Sequence, residues 1–198
     1  MVKTVILAAG AFPKREGPAW QTLVSAGRVV ACDGAANAYR RHFRKWPDVV
    51  IGDLDSIGKN CPVAVKVADQ ETNDLTKAIG FCRAKGWNDL VIVGATGLRE
   101  DHAIGNVFRA LDAQVPVITD CGVFHPVCGK ARFRAKKGTP VSVFAPDPKT
   151  RMTSRGLAWK LDDIRFDNLY VATLNRTSAT AFSVTSTRPV FVYIANMV

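Results

Sequence analysis

The sequence predicts a two-part α/β chain: a three-layer α/β domain with a mainly parallel sheet over residues 1–122, then an all-β domain over 123–198. Two observations carry that expectation. Up to residue 122, continuous apolar runs alternate with segments of helical period. Beyond it the helical period vanishes and short alternating runs take over.

The elements follow in order. Val2–Ala8 is an unbroken apolar run, the pattern of a strand buried on both faces, and Arg28–Cys32, Val49–Ile51, Leu90–Val93 and Val115–Thr119 repeat it. Between them, Asp74–Lys85 puts Leu75, Ala78, Ile79 and Cys82 on one helical stripe, and Asp101–Asp112 does the same with Ile104, Val107, Phe108 and Leu111. In the second part, Ala131–Ala135, Val141–Ala145, Leu169–Leu174, Ala181–Thr185 and Val190–Ile194 read as strands. Gly138, Pro140, Pro146-Asp147-Pro148 and Arg188-Pro189 punctuate them as a sandwich or barrel is punctuated.

Composition narrows the function. With 198 residues, 47% of them hydrophobic, the chain buries a sizeable core without disulfides or a structural metal. The net charge of +10 raises nucleic acid as a partner. The excess is lopsided, however: residues 1–122 carry 15 basic and 13 acidic side chains, the remainder 12 and 4. It is spread along alternating segments such as Lys130-Ala131-Arg132-Phe133-Arg134, the pattern of a solvated basic sheet face or an anion-attracting surface, and no nucleic-acid motif accompanies it. Five scattered cysteines form no CxxC pair and read as reduced thiols. The apolar Val5–Ala9 stretch is too short to span a bilayer and lacks a cleavage pattern, so a cytoplasmic protein without a membrane partner is expected.

Four turns at the expected carboxyl ends of strands hold the chemistry, where ligands of such sheets bind. In Gly52-Asp53-Leu54-Asp55-Ser56, two carboxylates two residues apart point the same way if the chain is extended, and Mg²⁺ with phosphate is the natural partner of such a pair; turn or capping aspartates are the plain alternative. In Asp69-Gln70-Glu71-Thr72-Asn73-Asp74-Leu75-Thr76-Lys77, Thr72 or Asn73 caps a helix, while Asp74 and Lys77, three apart, put an acid and a base on its polar side. Gly94-Ala95-Thr96-Gly97 followed by Arg99, Asp101 and His102 joins free backbone N–H groups to an arginine fork, a phosphate-holding combination that Asn106 and Arg109 continue along the helix. Cys32-Asp33-Gly34-Ala35-Ala36 is a fourth turn with an acid and a glycine. Together they describe a metal and polyphosphate pocket.

In this order and spacing the four motifs resemble the thiamine pyrophosphokinase family along essentially the whole chain. The resemblance implies an α/β domain joined to a C-terminal β-sandwich and Mg²⁺-dependent transfer of a diphosphoryl group from ATP to thiamine. It implies that Asp53, Asp55 and Asp74 organise the metal and that Arg99 and Asp101 complete the catalytic set. Asp33, Gly34, Ser56, Gln70, Lys77, Thr96, Gly97, His102 and Asn106 would line the nucleotide side. In the second domain, Gly156-Leu157-Ala158-Trp159 matches a family segment beside the vitamin, where Trp159 would stack on the thiazolium cation. Thr173-Leu174-Asn175-Arg176 matches a serine-asparagine-acid element only in part, keeping Asn175 but carrying Leu for the serine and Arg for the acid, so Thr173 and Asn175 are expected at the acceptor. Family resemblance also implies a homodimer with its site at the subunit interface.

Three other readings stand beside this one. A relative of the same fold acting on another small alcohol, such as a pterin, would share every nucleotide-side motif. A basic nucleic-acid-binding protein would use the charge and the Arg40-Arg41-His42-Phe43-Arg44-Lys45 run, which equally fits a solvated helix end. Leu7-Ala8-Ala9-Gly10 with Pro13-Lys14-Arg15 resembles the opening of sugar nucleotidyltransferases but lacks their second glycine.

Overall fold

The computed structural model describes residues 2–57, 61–67 and 71–196. The chain divides into two compact units, Met1–Ala113 with Val117–Asp120, and Gln114–Pro116 with Cys121–Val198.

In the first unit, β1 (Thr4–Leu7), β2 (Arg28–Cys32), β3 (Val49–Gly52), β4 (Ala64–Lys66), β5 (Leu90–Val93) and β6 (Val117–Ile118) make parallel pairs in the order β6-β5-β1-β2-β3-β4. The runs are apolar because both sheet faces are covered. Val5 and Leu7 of β1 pack toward Ala19 and Leu23 of α1 (Pro18–Val24) and Ala36 and Tyr39 of α2 (Ala35–Phe43). On the sheet's other face, α3 (Asp74–Ala84) buries Leu75, Ala78, Ile79 and Cys82 against β1, β2 and β3. The sixth strand is shorter than the Val115–Thr119 run because Pro116 has no N–H to give a ladder.

The stripe expected on α4 (Glu100–Asp112) holds only at its C-terminal end. Ala110 and Leu111 are buried and Val107 and Phe108 half-buried, but Ile104 is 62% exposed. This helix packs on α3, and its first turns stand at the strand ends, so Ile104 meets no sheet.

The second unit is antiparallel throughout: β7 (Gly122–Arg134), β8 (Pro140–Phe144), β9 (Met152–Arg155), β10 (Ala172–Arg176) and β11 (Ala181–Ala195). The segments Ala181–Thr185 and Val190–Ile194, expected as two strands, are one. The register against β7 shifts between Ser186 and Val190, where Pro189 cannot donate, and the strand bends there instead of ending. Before the bend β11 pairs with β9, after it with β8. Val141, Val143, Val190 and Val192 thereby meet Met152, Phe182 and Val184 in one core, the arrangement of a sandwich. The last short strand begins at Ala172, not Leu169, because Asn168 Oδ1 accepts from the Tyr170 N–H and holds that stretch as a turn. On the outer side, Lys130, Arg132 and Arg134 are exposed in strict alternation with half-buried Ala131 and Phe133.

Candidate functional site

The strand order of the first unit reverses between β1 and β5, and a cavity of about 370 Å³ opens there beyond the carboxyl ends of the strands. The loops after these two strands are knitted by backbone hydrogen bonds: the N–H groups of Ala8, Gly10 and Ala11 donate to the carbonyls of Val93 (2.9 Å), Gly94 (2.7 Å) and Thr96 (2.8 Å). Only glycine fits at Gly10, since a Cβ there would stand 2.5 Å from the Gly94 oxygen and 2.6 Å from that of Thr96. In the sequence Gly10 stands out only within the nucleotidyltransferase likeness. The signal that finds it is its place after β1, the central strand at the reversal.

The N-terminus of α3 supplies the acid and the base. Asn73 caps it, its Oδ1 accepting from the Thr76 N–H (3.0 Å) and hydroxyl (2.8 Å), while its amide donates to Asn106 Oδ1 (3.2 Å). Asn106 in turn donates to the Ala95 carbonyl (3.4 Å), so Asn106 lines the cavity as a brace between the helices and the loop after β5. Asp74 and Lys77 both face the cavity, with Nζ 3.4 Å from Oδ1. Burial pushes the Asp74 carboxyl above its ordinary value; Lys77 pulls it back, and the negative charges of Asp33 and Asp53 raise it further. Cys32, which also lines the cavity, is held as the neutral thiol by burial.

The two carboxylates after β3 do not lie along an extended chain. Leu54 takes φ 69°, and Asp53 Oδ1 accepts from the Asp55 N–H at 3.2 Å, so the segment is a turn. Asp53 consequently lines the cavity, whereas Asp55 and Ser56 are exposed and outside its lining. Gly34 stands against Ser56, and Asn37 donates to the Ser56 carbonyl at 2.8 Å, which ties this turn to α2. Asp33 is buried beside Gly52, and its Oδ1 has no hydrogen-bond partner among the described residues.

Thr96, Arg99 and His102 line the opposite wall, but Gly97 and Asp101 do not. The Arg99 fork is engaged by Asp101, Nε at 3.1 Å and an Nη at 2.6 Å, on an exposed surface, and that bond holds Asp101 down at about 2. A phosphate approaching Arg99 therefore competes with a carboxylate already in place. Gln70 lies outside the described residues.

Among the described residues no three His, Cys, Asp or Glu side chains converge into a ready-made metal site. The donor set nonetheless suits Mg²⁺, which commonly takes one or two carboxylates and completes its shell with substrate phosphates and water. Asp53 and Asp74 share the cavity, Asp33 Oδ1 is unpartnered close by, and the field of neighbouring carboxylates on Asp74 is one that a cation relieves.

In the second unit a separate pocket of about 460 Å³ is lined by Trp159, Leu161, Ile164, Ala172, Thr173 and Asn175 among others. Thr173 donates its hydroxyl to the Tyr170 carbonyl (2.8 Å). Asn175 is buried and its amide is tied to the backbone: Oδ1 accepts from the N–H groups of Trp159 (3.2 Å) and Arg176 (2.8 Å), and Nδ2 donates to the Trp159 carbonyl (2.7 Å). It holds the Trp159 backbone, and the indole, 54% exposed, carries the Arg176 guanidinium over its ring.

Two family models match the chain: Thiamin pyrophosphokinase, catalytic domain, over residues 19–119, and Thiamin pyrophosphokinase, substrate-binding domain, over 122–193. Among curated relatives, Thiamin pyrophosphokinase 1 of Caenorhabditis elegans is 34% identical over 104 residues, 45% of this chain and 43% of that protein. Thiamine pyrophosphokinase 1 of Arabidopsis thaliana is 27% identical over 179 residues, 76% of this chain and 65% of that protein. The chain thus spans less than two thirds of the length of these relatives. Solved structures share the fold: thiamine pyrophosphokinase from Bacillus subtilis superposes with a TM-score of 0.75 at 18% identity, over 98% of this chain and 99% of that one. The Candida albicans enzyme gives 0.75 at 17% identity over 99% and 90%.

Proposed function

The chain belongs to the thiamin pyrophosphokinase family, and from that premise we propose that it is a thiamine diphosphokinase. The hydroxyl oxygen of thiamine's hydroxyethyl arm attacks the β-phosphorus of ATP, the bond to the α-phosphate oxygen breaks, and thiamine diphosphate and AMP leave. The observation that carries the reading is the cavity at the β1/β5 reversal, where Asp53, Asp74, Lys77 and Arg99 face one space. Phosphoryl transfer needs positioning and charge neutralisation more than covalent chemistry, and these side chains supply both.

Bound Mg²⁺ would screen the polyphosphate charge, held by Asp53 and Asp74 with Asp33 behind them; Asp55 sits on the exposed limb of the same turn. Lys77 stands where it neutralises a phosphate oxygen, and Arg99 exchanges its Asp101 partner for another. A carboxylate of this group takes the proton from the thiamine hydroxyl. Thr96 and His102 border the nucleotide, with Gly97 in the turn between them and Asn106 as brace, and Gly34 and Ser56 support the Asp53 turn. Trp159 and Thr173 take the acceptor, and Asn175 positions Trp159. We place the protein in the cytoplasm as a homodimer whose site is completed by the second copy. The free thiols of Cys32, Cys61, Cys82 and Cys128 and the exposed apolar side chains Leu98, Ile104, Trp159 and Leu174 support that assignment. No helix among the described residues is long and apolar enough to cross a membrane.

One observation favours a second acceptor. Arg176 puts a positive charge against the indole expected to receive a thiazolium cation, which fits an uncharged alcohol such as a pterin better. Purified protein incubated with ATP, Mg²⁺ and either thiamine or a hydroxymethyl pterin separates the two. AMP formed in step with thiamine diphosphate supports the proposal; AMP formation dependent on the pterin alone, or on neither, overturns it.

A further inference from the structure

We propose that the outer face of the β7–β11–β9 sheet is a second anion site, built for a short phosphate chain. The strand register sets the side chains in a grid. Ser183 of β11 lies opposite Arg132 of β7 on one side and Arg155 of β9 on the other; Thr185 lies between Lys130 and Thr153 in the next row. Residues two apart on a strand share a face, so all six point outward together. They line a groove of about 550 Å³. Strands spaced about 4.8 Å apart put the two arginines on the order of 10 Å apart at their Cα atoms, with the hydroxyls of Ser183 and Thr185 on the floor between them. Two forks flanking a row of hydroxyl donors suit a phosphate group, and Lys130, about 7 Å along the strand from Arg132, suits the next one.

The charges on this face are unbalanced. The carboxylates of residues 123–198 are Asp147, Asp162, Asp163 and Asp167, and none lies on β7, β9 or β11. Among the described residues no ion pair involves Lys130, Arg132 or Arg155. Like charges gathered on one face with no acid among them repel one another unless an anion joins them. The strands offer no exposed aromatic ring, Phe182 being buried and Phe133 half-buried, so a platform for stacking nucleic-acid bases is missing and phosphate groups alone are recognised.

Calorimetric titration of the full chain with inorganic triphosphate, without Mg²⁺ and with EDTA present, tests the assignment. Wild type and the Arg99→Gln variant of the first unit should bind alike at this site. Arg132→Gln/Arg155→Gln should bind at least about tenfold more weakly with its thermal unfolding and its turnover of ATP unchanged, and Arg132→Lys/Arg155→Lys should fall between. Should the double glutamine variant fold poorly, Arg155→Gln and Lys130→Gln singly should each weaken binding. Unchanged binding in the glutamine variants, or loss of all binding in Arg99→Gln alone, overturns it. So does displacement of the triphosphate by single-stranded DNA with an affinity that climbs with strand length, which would make the face a nucleic-acid surface.

Discussion

The Lys77 ammonium stands 3.4 Å from Asp74 Oδ1, one turn apart on α3, with the lysine side chain only 5% exposed and the aspartate 32%. The pair suits a ligand that carries both charges: an anionic phosphate would draw Lys77 and a cation would draw Asp74, each partner exchanging the other for something better matched. Burial and the nearby carboxylates of Asp33 and Asp53 nevertheless outweigh Lys77, and the Asp74 carboxyl is raised.

Asp74→Asn is therefore expected to lower kcat/KM for ATP by roughly 10²- to 10³-fold, the scale for removing one charge contact at a phosphoryl-transfer site. In wild type the acid limb of kcat/KM should lie above the ordinary aspartate value of 3.8, because the ionised form is needed and burial withholds it. The stability consequence has the opposite sense to that of an ordinary ion pair. A carboxyl with a raised folded pKa contributes stability that is complete below its unfolded value and fades as pH rises through the folded one. As pH rises above the ordinary aspartate value of 3.8 this contribution falls in wild type and is absent in Asp74→Asn, so the difference in Tm, variant minus wild type, should rise with pH there. A flat difference would contradict the assignment.

Gly10→Ala is expected to lose activity without touching a charged group. The added methyl meets two backbone carbonyls, neither of which can swing aside as a flexible side chain would. Overpacking of this kind costs about 1–3 kcal/mol. A lowered Tm accompanied by a raised KM for ATP checks it, whereas Gly80→Ala, exposed within α3 with open space around its Cβ position, should raise Tm slightly and leave KM unchanged.

What the sequence makes plain and what it hides divide along physical lines. The strands β2, β3 and β5 and the buried stripe of α3 are legible because a face enclosed on both sides must be apolar along its length. Asp74 and Lys77 follow from helical spacing, while spacing offers Thr72 and Asn73 alike as the cap and the structure takes Asn73. Asp53 and Asp55 mislead because a single left-handed residue, Leu54, turns an expected parallel pair into one carboxylate that faces the cavity and one that faces water. Ile104 misleads because periodicity reports a stripe without reporting what lies opposite it. The unbroken β11 is hidden by Pro189, which marks a bend as readily as an end.

Asn175 tests whether a buried amide positions or binds. Its three hydrogen bonds all go to the backbone of Trp159 and Arg176. Asn175→Ala is expected to shift the tryptophan fluorescence of the free protein and to raise KM for the acceptor several-fold more than it lowers kcat, with KM for ATP unchanged. Direct contact with the acceptor would leave the spectrum of the free protein as in wild type.

Arg176 sets the final expectation, since its guanidinium carbon lies 5.1 Å from the centroid of the Trp159 ring. A cation over an aromatic face gains about 0.5–2 kcal/mol depending on exposure, and a second cation brought to the same ring must displace the first or bear its repulsion. Removing the guanidinium therefore favours a cationic acceptor and leaves an uncharged one indifferent. Arg176→Gln should lower KM for thiamine by roughly 2- to 30-fold, the equilibrium factor that this range of energies allows, with kcat and KM for ATP held within about twofold. Arg176→Glu should lower it further by placing an acid beside the thiazolium. Steady-state kinetics in thiamine and in ATP separate the two parameters. A thiamine KM that rises in both variants would mean that Arg176 holds the indole in place instead of occupying its face.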